Sequence, residues 1–343
     1  MKAVSYRTTG PSSVLELGER AEPHPGPGEV RVRIHVSGVN PTDWKSRSGG
    51  GRVTELGAPQ VPNQDGAGVV DEVGPGVGGF AVGDRVWVWD AAYQRPDGTA
   101  QELVVLPARQ VVPLPDDASF DVGASLGIPA LTAHIALAAS ERSPRELAPG
   151  ALADWTVLVA GGAGAVGHAA IQLAVWAGAT VITTVSSQEK AALARAAGAQ
   201  HVVDYRASDA VAAIRALAPR GIDLVVEVNP AANLGLDLEV AAPDATVAVY
   251  ADNGEPVVVP VRPSMAKNVR YRYLLTYTTA VDAKDAAVRA VAAAVADGAL
   301  PVGADAGLPI TRFALAETAA AHDAVEAGTV GKVLIDVSGG SAQ

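Results

Sequence analysis

The stretch "TVLVAGGAGAVGHAAIQLAVWAGATVITTVSSQEK", residues 156–190, decides how the chain is read. A short run of β-branched and apolar residues begins at Thr156, a glycine-rich turn follows at Gly161–Gly167, and apolar residues then recur at helical spacing up to a second run, "ATVITTV". Strand, tight turn, helix and strand in this order form a βαβ unit, and the crossover helix makes the two strands parallel.

Gly162, Gly164 and Gly167 fit the spacing G-x-G-x-x-G. In this setting one glycine permits the tight turn, one lets the backbone approach a pyrophosphate, and one lets helix and strand pack closely. The turn Gly161, Gly162, Ala163, Gly164, Ala165, Val166 and Gly167 therefore reads as a dinucleotide cradle at a helix N-terminus. The second strand ends in Ser186, Ser187 and Lys190 rather than in an acid. Hydroxyls and a cation suit a ribose 2′-phosphate, so NADPH is expected in preference to NADH. The alternative is that Ser187 caps the following helix and Lys190 is a solvated surface residue.

Outward from this unit, strand cores at "QHVVDY", "DLVVEV", "ATVAVY" and "RYLLTY" alternate with alanine-rich helical stretches. Such alternation gives a parallel sheet with helices on both faces. Before about residue 125 the pattern is different: short alternating strands are punctuated by glycine and proline, as in "EVRVRIHVSGVN" and "GAGVVDEVGPGVGGFAVGDRVWVW". The fold class expected is α/β, a β-rich domain plus a doubly wound parallel sheet. The expected division is 1–126 with 279–343 for the first domain and 127–278 for the second, the closing strand "GKVLIDV" returning to the first.

Of the 343 residues 49% are hydrophobic, enough for two cores, and the formal net charge is -11. That charge repels phosphate backbones and anionic lipid, so no nucleic-acid or membrane partner is expected. The chain holds no cysteine, which removes thiolate nucleophiles and cysteine-ligated metal sites. No apolar run has the length of a signal peptide or a membrane span, and a cytoplasmic location is expected.

The blocks "VSGVNPTDWKSRSG", "VPNQDGAGVVDEVGPGVGGFAVGDRVW", "ASLGIPALTAHIAL", the glycine turn and "GKVLIDV" together resemble the medium-chain dehydrogenase/reductase superfamily, and within it the zinc-free quinone oxidoreductases of the zeta-crystallin type. The resemblance implies that the β-rich part is a GroES-like catalytic domain and the parallel sheet a Rossmann-fold domain, with a cleft between them and a dimer. Where zinc-dependent relatives carry metal ligands this chain has Asn40, Gln64 and Ile128, so no metal is expected.

The resemblance also singles out cleft residues. Asn40, Asp43, Gln64 and Thr132 are the expected catalytic set, with Asp65 beside Gln64; turn chemistry and packing are the plainer alternatives. Tyr205, Asn229, Tyr250 and Tyr277 follow strand ends of the parallel sheet and are expected at the cofactor, although an edge tyrosine is also an ordinary strand residue; Lys332 of the closing strand either reaches the cofactor or supports that strand. Arg47 either faces the cleft or pairs with an acid, and His134 is read as a spacer. The stretch after Asp43 has Trp44 as its only aromatic residue, where several relatives have tyrosines.

The expected reaction is NADPH-dependent reduction of quinones, for which the cofactor carries the chemistry and the protein supplies orientation and water exclusion. An enone or 2-alkenal double-bond reductase is the near alternative. A nucleotide-binding structural or RNA-associating protein is a remoter one. The last Rossmann strand, Val269–Tyr277, would leave an open edge, and a homodimer pairing through it is expected.

Overall fold

The computed structural model describes residues 1–338; residues 339–343, with which the first domain was expected to end, lie outside them. The chain divides into two compact units. One is Met1–Ile128 together with the chain from Ile310 onward, and the other is Pro129–Pro309.

The first unit begins with β1 (Lys2–Thr8), β2 (Glu16–Glu19), β3 (Glu29–Val39), helix α1 (Pro41–Ser48), β4 (Glu55–Gln60) and β5 (Asp65–Val73). Then come β6 (Arg85–Val88), β7 (Leu103–Pro107), β8 (Val111–Pro113) and the short α2 (Phe120–Gly123). Along β3, Val30, Val32 and Ile34 face inward while Arg31 and Arg33 face outward, where both guanidinium groups pair with Asp71 on β5. Period-two alternation is what a half-buried strand requires.

The second unit opens with α3 (Gly127–Leu137), which starts at the junction, and continues through β9 (Thr156–Ala160), α4 (Ala165–Trp176), β10 (Thr180–Val185) and α5 (Gln188–Ala196). It goes on through β11 (His201–Asp204), α6 (Ala210–Leu217), β12 (Ile222–Glu227), α7 (Pro230–Val240), β13 (Ala241–Val249), α8 (Val261–Lys267), β14 (Arg270–Tyr273) and α9 (Val281–Ala296). Its strands pair in the order β11-β10-β9-β12-β13-β14, all parallel. The order reverses at β9, and the crevice at such a switch point is where an open α/β sheet takes its ligand. The four inner strands β10, β9, β12 and β13 are largely buried on both faces, which explains their apolar runs.

The chain then returns to the first unit with β15 (Ile310–Ala314), α10 (Thr318–Glu326) and β16 (Lys332–Asp336). The larger sheet there runs β15-β16-β3-β5-β6-β8, with β7 also on β3, while β2-β1-β4 form a smaller one. The expected GroES-like sheet and Rossmann domain are thus both present. The return occurs later than the sequence suggests: residues 279–309 belong with the second unit. The reason is packing, since the apolar stripe of α9, through Ala287, Val291 and Ala294, is buried, Trp176 donates to Asp297 at its end, and Gln172 donates to the Pro301 carbonyl.

Among the described residues no helix is long and apolar enough to cross a membrane. Gly38 on β3 marks the tightest approach near the residues of interest. A Cβ there would lie 2.1 Å from the carbonyl oxygen of Ala124 and 3.2 Å from Lys332 Nζ. Gly38→Ala is expected to cost about 2–3 kcal/mol of unfolding free energy, because backbone must move to admit the methyl group. Urea titration of the two proteins measures this.

Candidate active site

In the first unit, one strand end and two strand starts converge. β3 runs out at Val39 into Asn40. Gly38 pairs with Asp65, the first residue of β5, and Val39 pairs with Val333, next to Lys332 at the start of β16. Antiparallel neighbours on either side of β3 thus deliver a carboxylate and an ammonium to the residue that starts α1. Asn40 precedes Pro41, whose fixed φ and missing N–H suit the first helical position.

The Asn40 carboxamide lies between them. Its Nδ2 donates to Asp65 Oδ2 at 2.7 Å, and its Oδ1 accepts from Lys332 Nζ at 2.7 Å. Lys332 and Asp65 are themselves 3.6 Å apart, and both are fully buried. Asp65 Oδ1 also accepts the backbone N–H of Ile128, and a Cβ at Gly127 would sit 2.2 Å from that oxygen. A glycine before Ile128 is what lets the carboxylate reach the main chain.

Asp43, on the first turn of α1, accepts from the Asn40 backbone N–H at 2.7 Å through Oδ2, while its Oδ1 has no hydrogen-bond partner. Burial raises its pKa, the Asp65 charge raises it further, and the backbone N–H groups and Lys332 oppose. Burial also raises Asp65, to about 6, against the pull of Lys332 and Asn40. Lys332 is lowered by burial and held up by the two carboxyls. With one cation for two buried carboxyls, the balance leaves Asp65 as the partner of Lys332 and Asp43 as the proton holder.

Other expected residues have different engagements. Gln64 is buried, but its Oε1 accepts from the Ala92 backbone at 3.0 Å, so its head group is directed to that loop. Arg47 pairs with Glu326 at 2.8 Å, the plainer of its two readings. Among the described residues, no group of three or more His, Cys, Asp and Glu is arranged to hold a metal ion. Thr132 belongs to the second unit, where its hydroxyl meets that of Thr276. His134 Nε2 accepts the Leu147 N–H, and burial lowers its pKa to about 4, as a neutral spacer requires.

In the second unit the glycine turn lies between β9 and α4. Gly161 has φ +70°, so the left-handed residue comes one place before the G-x-G-x-x-G count. Gly162 packs on β10, where a Cβ would lie 2.2 Å from Thr183 Oγ1, and Gly167 packs on Gly161, with 2.4 Å to its carbonyl. Gly164 differs, because a Cβ there would meet nothing nearer than 3.5 Å. It stands at the N-cap of α4 with no side chain capping the helix. An open, uncapped N-terminus of a twelve-residue helix presents free N–H groups to an anion, so these residues fit the pyrophosphate of a dinucleotide.

Around the turn, Lys190 Nζ donates to Ser186 Oγ at 3.2 Å, and Ser187 caps α5 by accepting from the Lys190 N–H at 3.3 Å. The structure therefore brings the three together, with Ser187 also in its capping role. Tyr205 is half exposed beyond β11, Asn229 starts α7, Tyr250 follows β13, and Tyr277 lies past β14. All four stand at or beyond carboxyl ends of the sheet. Lys332 lies in the first unit, beside Asp65 and Asn40.

Sequence reasoning passed over Glu227, Asn233 and Asp237. Glu227 is the last residue of β12, and its Oε1 accepts from the Asn229 backbone and from Asn233 Nδ2. An acid closing the apolar strand "DLVVEV" and a second inside "LGLDLEV" were the available signals.

Residues 26–116 match the family model for the alcohol dehydrogenase GroES-like domain, and residues 165–297 that for zinc-binding dehydrogenase. A quinone oxidoreductase of Rattus norvegicus is 33% identical over 270 residues, 78% of each chain, and a 2-haloacrylate reductase of Burkholderia is 33% identical over 266 residues, 76% of each. Among solved structures, a mycobacterial protein complexed with NADPH superposes with a TM-score of 0.79 at 31% identity, over 98% of this chain and 99% of that one. An NAD-dependent alcohol dehydrogenase superposes with a TM-score of 0.83 at 28% identity, over 98% and 100%. The chain belongs to the quinone oxidoreductase family of the medium-chain dehydrogenase/reductase superfamily, and is an oxidoreductase.

Lys332→Met is expected to cost about 3–5 kcal/mol, since it strands a buried carboxylate. In the double variant Lys332→Met/Asp65→Asn the charge is gone and most of that loss should return. Chemical denaturation of both variants at pH 7 tests the coupling.

Proposed function

We propose that the protein catalyses NADPH-dependent, metal-free reduction of quinones. The observation that carries this reading is the donor set at the positions where the zinc-dependent relatives hold their metal. Asn40 is committed to Asp65 and Lys332, Gln64 to the Ala92 backbone, and Ile128 has no donor to offer. Oxidation of an alcohol calls for a Lewis acid on the alkoxide, whereas reduction of a quinone does not.

The reduced nicotinamide, when bound, supplies the hydride. The glycine turn and the N-terminus of α4 hold the pyrophosphate, with Gly164 leaving room for it. Ser186, Ser187 and Lys190 receive the 2′-phosphate, and Tyr205 lies alongside, which is the basis for preferring NADPH over NADH. Asn229, Tyr250 and Tyr277 face the same edge of the sheet. Asn40, Asp43 and Gln64 in the first unit and Thr132 in the second are the residues assigned to the substrate, and Lys332 fixes Asn40.

A second reading, reduction of an enone or 2-alkenal double bond, is favoured by one observation. Asp43 is a buried acid with a raised pKa and a free Oδ1, and a conjugated carbonyl, unlike a quinone, must acquire a proton on carbon. NADPH oxidation, with NADH in parallel, is expected with 1,4-benzoquinone and 9,10-phenanthrenequinone, undiminished by chelator. Lys190→Ala should raise the KM for NADPH about tenfold and leave that for NADH unchanged. Turnover of a 2-alkenal alone, abolished in Asp43→Asn, would establish the double-bond reductase instead.

The reading includes a cytoplasmic homodimer that binds no nucleic acid. Among the described residues β14 pairs with β13 alone, and Tyr273 on it and Leu275 just past it are exposed, so its free edge suits pairing with a second copy. Light scattering is expected to give twice the 34.7 kDa chain mass. A monomer mass at micromolar concentration would remove the dimer.

A further inference from the structure

Glu227 and Asp237 form a second group of buried acids, and the proposed reaction does not use them. Glu227 closes β12 and is fully buried; Asp237 lies on α7 and is 1% exposed. Glu227 Oε2 and both Asp237 oxygens have no donor partner, and both residues line a pocket with Ala160, Thr184, Tyr205 and Asn233. The two carboxyls are within hydrogen-bonding reach of each other. Two carboxylates have only acceptors to offer, so a hydrogen bond between them requires a proton.

The surroundings supply no positive charge to replace that proton. No Lys, Arg or His lines the pocket. On the neighbouring elements, Arg215 of α6 pairs with Glu239, and Lys267 of α8 donates to the carbonyls of Leu238, Glu239 and Ala241 at the end of α7. Tyr250, beyond β13, is pushed above the usual phenol range by burial and by the Glu227 charge, so it stays neutral. Burial raises both carboxyls, and the charge of Glu227 raises Asp237 further.

The position of the pair connects it to the glycine turn. Val226 pairs with Val159, so Glu227 stands beside Ala160, the residue before Gly161. Thr184, another wall of the pocket, accepts the N–H groups of both Gly161 and Gly162 through its carbonyl. We propose that Glu227 and Asp237 share one proton as an acid–carboxylate pair, and that loss of this proton weakens dinucleotide binding at the adjoining turn. The linkage rests on the reading that this edge of the sheet binds a dinucleotide. A second negative charge below the turn repels the pyrophosphate, and two facing carboxylates separate α7 from the end of β12.

The first test is infrared spectroscopy of the full chain at pH 7. The wild-type minus Asp237→Asn difference should contain a protonated-carboxyl stretching band, and Glu227→Gln should remove the same band. Its absence overturns the shared proton. The second is binding of NADH and NADPH from pH 5.5 to 9, with NADH included because it lacks the titrating 2′-phosphate. NADH affinity should fall with rising pH, by up to about tenfold per unit above the pair's ionisation, and be flat in both variants. An identical slope in wild type and variants overturns the linkage. If the folded protein binds neither nucleotide at any pH, the dinucleotide reading fails and the linkage with it, while the infrared band still decides the proton.

Discussion

Burial of the Lys332 ammonium against Asp65, with the Asn40 carboxamide between them, is the constraint on which the first unit depends. Each group alone would be costly inside a sheet, since an unpaired buried charge outweighs most single packing gains. Together they satisfy one another and tie three strands at one point. Gly127 has no side chain because Asp65 occupies the space a Cβ would need, and at Gly38 the Ala124 carbonyl fills it, with Lys332 next to it. The start of α1, and so the position of Asp43, is set by the same contacts.

The two acid groups of the molecule solve the same problem differently. In the first unit a lysine neutralises one of two carboxyls, and the other keeps its proton. In the second unit no cation among the described residues reaches the pair, and amide donors from Asn229 and Asn233 serve one oxygen of Glu227. On the proposal of a shared proton, both arrangements keep an acid neutral in a buried place. Net charge alone, at -11, conceals this, because it counts every carboxyl as ionised.

Much of the second unit is legible in the chain, since a βαβ unit is a local pattern and its strands are continuous apolar runs. The glycine spacing is equally local, although the backbone places the left-handed residue at Gly161 and gives Gly162 a packing task against Thr183. What crosses long sequence distances is harder to read. Lys332 sits beside Asn40 because β16 inserts next to β3, and no periodicity encodes that pairing. Residues 279–309 read as the start of the return, yet the face of α9 finds its partner in the second unit. Glu227 and Asp237 are ten positions apart on a strand and a helix, a separation that matches neither period. Each looks like an ordinary acid until the fold brings them together.

The route of the chain through the first unit has a consequence for biosynthesis. β3 and β5 are made early, yet β16, which flanks β3, emerges only after the whole second unit has been translated. Until then the Val36–Val39 part of one β3 edge is unpaired, β7 covering the rest, and Asp65 and Asn40 wait without their cation. The first unit is therefore finished last, by its own C-terminal strand. The Rossmann unit has all its strands by Tyr273 and can fold on the ribosome while its neighbour is still open.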